Sequence, residues 1–126
     1  MASVAEYRPI IEAVANLLIS DGSVTVQLSD WEKAEALHGD MTFPRSAITG
    51  VRVVSSSADE VPGMKLIGSG IPGALKVGTW ADGKTGRTFA ACHGNGPGLV
   101  IDLAGEHYDR VVMTLDNAEV LAGQLS

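Results

Sequence analysis

The chain has 126 residues, one cysteine, and a formal charge of −6 from 15 acidic and 9 basic side chains. That length fits one domain, able to bury about two thirds of its unfolded surface without a disulfide or a metal. The acidic balance and the lack of any Lys/Arg run exclude general nucleic-acid binding and adsorption to anionic membranes, and a lone Cys92 excludes an internal disulfide and a cysteine-based zinc site.

No stretch approaches 18 consecutive apolar residues, so no membrane span is expected. The opening MASVAEYRPIIEAVANLLIS carries Glu6 and Glu12 and lacks a basic leader before its apolar residues, which argues against a secretory signal and for a cytoplasmic protein.

Apolar side chains at positions 4, 7, 10, 11, 14, 17 and 18 have helical spacing, and Pro9 suits a first turn; a helix is expected from about Pro9 to Ala15, inside an N-terminal extension over 1–16. Asp21-Gly22 then separates two β-prone runs and predicts a hairpin with a type I′ turn. Ser29 with Glu32 forms a capping-box pattern at the start of a short helix near 30–38, with Gly39 placed for its C-cap. A short strand over Asp40–Pro44, a turn over Arg45–Ala47 and a strand over Ile48–Val54 follow. Ser55–Leu75, with its prolines and glycines, reads as a long irregular loop.

Four β-rich runs come next: Val77–Trp80, Arg87–Ala91, Leu99–Leu103 and Tyr108–Leu115. The turn-forming segments ADGKTG, HGNGPG and AGEH between them predict an antiparallel meander. Asp116–Ser126 closes the chain as a helix, with an Asp116/Glu119 capping pattern and Val120, Leu121 and Leu125 on its apolar face.

The runs WEKAEALHGDMTFP and VIDL…YDRVVM with a following Asp, together with Pro72-Gly73 and Gly78-Thr79, resemble a family of small bacterial domains common in actinobacteria. The resemblance spans about residues 23–122. It implies a mainly β protein, α+β by content: a strongly bent antiparallel sheet forming a pleckstrin-homology-like seven-stranded barrel over 17–115. A C-terminal helix over 116–126 would cap it. It implies no activity and supplies no catalytic residue.

Candidate chemistry is sparse. Gly68-Ser69-Gly70-Ile71-Pro72-Gly73 matches G-x-G-x-x-G, but a dinucleotide site needs a helix to follow, and here a strand is expected. Cys92 and His93 are strand neighbours and so point to opposite faces. His38, His93 and His107 lack metal-ligand spacing, so no metal or other cofactor is expected. Phosphoinositide binding needs clustered basic residues at the first hairpin, and ISDGSV has none. What remains is a non-enzymatic module that binds a protein partner or a second copy, by a sheet edge or by the 61–75 loop. Trp80, Gly70, Ile71, Pro72, Gly73 and His93 are the candidate surface. The alternative is a small-molecule binder or small enzyme with a pocket near Cys92, His93 and His107.

Overall fold

A computed structural model describes residues 15–71, 75–94 and 96–125. The expected N-terminal helix lies outside the described residues except for Ala15, which is not helical. The described chain is mainly β, with nine strands in two sheets and two α-helices. A three-stranded antiparallel sheet holds β1 (Asn16–Ile19), β2 (Ser23–Gln27) and β3 (Met41–Pro44) in that order. A six-stranded sheet comprises β4 (Ile48–Val54), β5 (Met64–Ile71), β6 (Leu75–Asp82), β7 (Gly86–His93), β8 (Gly98–Leu103) and β9 (Arg110–Thr114). Its order is β4-β8-β9-β7-β6-β5. Among the described residues no closed barrel is found, and the strands divide between these two sheets in place of the expected single seven-stranded antiparallel sheet.

The Asp21-Gly22 hairpin forms with Ile19 opposite Val24, but neither turn residue has positive φ, so the turn is not type I′. Ser20 instead closes it: its N–H donates to Ser23 O at 2.9 Å, and the two hydroxyls meet at 2.9 Å. Helix α1 (Asp30–Ala36) carries the full capping box, with Glu32 N–H donating to Ser29 Oγ at 3.2 Å and Ser29 N–H to Glu32 Oε1 at 2.9 Å. Its C-cap is Leu37 rather than Gly39, at φ 52° and ψ 45°. A leucine there costs about 1–2 kcal/mol of backbone strain. Helix α2 (Ala118–Leu125) buries Ala118, Leu121 and Leu125 against β1, β4 and β8, whereas Val120 is exposed and not on the buried face. Arg45, in the 3₁₀ turn after β3, donates to Gln124 O at 2.7 Å and so satisfies one carbonyl near the end of α2.

The four final strands do not form a meander. β7 and β9 are parallel neighbours, and β8 pairs antiparallel with β9 on the other side, so the 94–97 connection crosses the end of β9. That crossing explains HGNGPG. Leu115 N–H donates to Pro97 O at 3.0 Å, and a Cβ on Gly98 would lie 1.9 Å from Met113 O. By contrast ADGKTG is a true hairpin turn: Asp82 Oδ1 accepts from Thr85 N–H at 2.6 Å and Lys84 N–H at 3.1 Å. Those bonds, the Thr85 one foremost, hold the Asp82 carboxyl below its usual range.

Side-chain alternation gives the six-stranded sheet two buried faces. Val77, Phe89, Ala91, Leu99, Ile101, Val111 and Met113 face the three-stranded sheet and helices, forming the main core with Leu17, Val24, Val26 and Phe43. Trp80, Ala90, Cys92, Val100 and Val112 face the other way. They are covered by the segment expected to be an irregular loop. In it Ser57–Glu60 form a 3₁₀ turn, and Ala58 and Val61 complete this second core. Ser57, fully buried, locks the cover down: its N–H and hydroxyl both donate to Gly96 O at 2.9 and 3.0 Å, and its oxygen lies 2.7 Å from Thr114 Oγ1. Because a carbonyl only accepts, the hydroxyl between them is donated by Thr114, whose oxygen accepts from His93 N–H at 2.9 Å.

Candidate functional site

Residues Met64–Ile71 of the expected loop are strand β5, which among the described residues is an edge strand of the six-stranded sheet, with α1 near it. Its pairing with β6 is offset by a bulge between Lys65 and Ile67. Farther on, Gly68 (φ +124°) and Gly78 (φ +145°) face each other; a Cβ on either would sit 2.7 Å from the other's Cα and 2.2 Å from a carbonyl oxygen. The first glycine of the G-x-G-x-x-G match is thus a close-approach residue inside a strand. No helix follows: Ile71 pairs with Leu75 at the start of β6.

Met64, Leu66 and Ile67 project from this edge with relative exposures of 77%, 51% and 51%. The opposite edge, β4, shows one exposed large apolar residue, Val53, next to Arg52, which pairs with Glu60 at 3.3 Å. Exposed apolar groups on a sheet edge are what monomeric proteins avoid, since unpaired main-chain groups there invite another chain. The sequence carried a signal for this strand: MKLI is β-prone and bounded by Gly63 and Gly68.

The expected surface residues divide. Gly70 and Ile71 lie on β5, opposite Lys76 and Leu75. Pro72 and Gly73 lie outside the described residues. Trp80 is only 5% exposed and packs in the second core, so it anchors the sheet and forms no part of an open surface. His93 ends β7, where its Nε2 meets Glu32 Oε2 at 2.7 Å and its ring lies 5.8 Å from that of half-exposed Trp31. Glu32 is completely buried, and its Oε2 also accepts from Ala15 N–H at 2.9 Å. The Glu32–His93 pair therefore ties α1, β7 and the start of β1 together.

Cys92, His93 and His107 are not brought into one pocket. Cys92 faces the second core, with its Sγ 3.7 Å from Val112 O, while His93 faces Glu32. His107 lies edge-on to Tyr108, with centroids 5.0 Å apart. His38 packs near Phe89 and Tyr108, and among the described residues no three His, Cys, Asp or Glu side chains cluster to hold a metal. No helix among the described residues is long and apolar enough to cross a membrane.

Burial pushes the Cys92 thiol up from its ordinary 9.0 to about 12. A raised folded-state value stabilises the fold fully below pH 9, and this contribution is lost as pH rises toward 12, because only the unfolded thiol ionises in that window. Wild type is therefore expected to lose urea resistance between pH 8 and 10 more steeply than Cys92→Ala, and its thiol to resist iodoacetamide until the chain unfolds. Rapid labelling of the folded protein at pH 8 would contradict this.

Comparison of the chain with family models, curated proteins and solved structures found no match in any of the three.

Proposed function

We propose that this chain is a non-enzymatic binding or assembly module, working through the β5 edge on a protein partner or a second copy of itself. The observation that carries the reading is the exposure of Met64, Leu66 and Ile67 on a strand that is an edge of the sheet among the described residues. The bulge at Leu66 breaks the strand's register and Lys65 puts an exposed charge beside it, and both are devices that discourage continuous strand addition. The apolar side chains are then the main source of affinity, with main-chain pairing confined to the part of β5 beyond the bulge. Cytoplasmic residence is part of this proposal, as is kinship with the pleckstrin-homology-like bacterial domains. The mainly β content and the C-terminal helix agree with that kinship. The parallel β7–β9 pair and the separate three-stranded sheet are departures from its pattern.

The test is native mass spectrometry and light scattering over a concentration series, on wild type and on Met64→Lys/Leu66→Lys. Wild type is expected to self-associate or to retain a protein partner, and the double variant to be a bare monomer with an unchanged circular dichroism spectrum. Assembly and partner retention that survive both lysines would overturn the reading.

A further inference from the structure

A groove of about 180 Å³ opens beside β3 and the end of β8. Its lining includes His38, Asp40, Phe43, Glu106, His107 and Tyr108. A cavity of about 150 Å³ holds a benzene-sized molecule, whereas drug-sized ligands occupy about 300–1,000 Å³, so this groove suits a ligand of one ring or a short chain.

Glu106, Asp40 and His38 bring acceptors to the groove. Glu106 makes no hydrogen bond or ion pair among the described residues, although it is partly buried. Asp40 uses Oδ1 to accept from Leu28 N–H at 2.9 Å, with Lys33 Nζ 3.7 Å away, which leaves Oδ2 available. His38 Nδ1 lies 2.6 Å from Gly39 O. A carbonyl only accepts, so Nδ1 carries the proton, and in the neutral ring Nε2 is a further acceptor. No Lys or Arg lines the groove, and the Tyr108 hydroxyl is already bonded to Thr79 Oγ1 at 2.8 Å. Beneath these groups is a nest of rings. Tyr108 has His38, Phe89 and His107 around it at centroid distances of 5.7, 5.6 and 5.0 Å.

We infer that this groove binds a small organic cation, an alkyl- or arylammonium. An ammonium supplies three donors where the site offers acceptors, its charge is opposite to that of the unpaired Glu106, and its organic part rests against the lining His107 and Tyr108 rings. An anion would meet the unpaired Glu106 carboxylate, with no Lys or Arg among the lining residues and Lys33 held at Asp40. A neutral ligand of the same shape would leave the Glu106 carboxylate without a counter-charge. The groove lies apart from the β5 edge and does not rest on the edge being a working surface.

The experiment is an NMR titration of the isotope-labelled full chain with benzylammonium, benzyl alcohol and benzoate. Benzylammonium is expected to shift the resonances of His38, Glu106, His107 and Tyr108 in a saturable way, the alcohol to bind about tenfold more weakly, and benzoate to cause no shift there. Glu106→Gln, a near-isosteric change in the loop between β8 and β9, is expected to weaken benzylammonium severalfold to about tenfold and leave the alcohol unaffected. Equal binding of alcohol and ammonium, tighter binding of benzoate, or no shift at these four residues would each overturn the proposal.

Discussion

Gly98→Ala is expected to destabilise the fold by about 3 kcal/mol or more, or to prevent folding altogether. Gly98 opens β8 and pairs with Val54 on one side and Thr114 on the other. A Cβ there would sit 1.9 Å from Met113 O and 2.9 Å from Ser57 Cβ. Neither neighbour can retreat cheaply. Met113 belongs to β9, which is hydrogen-bonded on both sides, and Ser57 is fixed by two bonds to Gly96 O. The φ of Gly98 is not positive, so the loss is steric and not a matter of glycine's conformational freedom. Gly83→Ala is the control, because a Cβ at that turn residue meets nothing within 4 Å. Urea midpoints and soluble yield of the two variants decide the matter: an unchanged midpoint for Gly98→Ala would mean that β9 does not run where it is placed.

The same crossing marks the boundary of what the residues reveal by local reading. Turn chemistry located the hairpin at Asp21-Gly22, the capping box at Ser29 and Glu32, and the strand cores around VRVV, LVI and RVVM, because each depends on neighbours in sequence. It did not reveal that HGNGPG spans a strand inserted from farther along the chain, since glycine serves a hairpin and a close crossing equally well. One signal did point that way. FAAC, LVI and VVM are continuous apolar runs and not alternating ones, which is the pattern of strands covered on both faces. That pattern calls for a second covering layer, which the 55–63 segment supplies. For the candidate surface, proximity in sequence misled: Trp80 sits beside the glycine-rich stretch but alternates inward, whereas Met64, Leu66 and Ile67 were hidden inside a segment rich in proline and glycine. The His38–Tyr108–His107 grouping depends on the register between distant strands and has no local signature.

Glu32→Ala is expected to cost about 2–5 kcal/mol, the range for emptying a fully buried site, with the loss of an acceptor shared by several donors adding to it. Half of this residue's role is local and half is tertiary. Oε1 closes the capping box by accepting from Ser29 N–H, while Oε2 accepts from Ala15 N–H and meets His93 Nε2 at 2.7 Å. Alanine would leave the Ser29 and Ala15 N–H groups and the His93 ring nitrogen without this acceptor, and a void at a fully buried position besides. Glu32→Gln separates hydrogen bonding from volume. Its amide can present an oxygen to Ser29 or to Ala15, but its NH₂ then faces a donor on the other side, so a loss of about 1–3 kcal/mol is expected. His93→Ala should cost least, because the His93 side chain is 21% exposed and water can take its place against the carboxylate. Urea denaturation of the three variants tests the order Glu32→Ala, Glu32→Gln, His93→Ala from most to least damaging. If His93→Ala proved as harmful as Glu32→Ala, the pair itself would be the stabilising unit and the backbone donors secondary. If Glu32→Ala were neutral, α1 would not be held to β7 through this carboxylate at all.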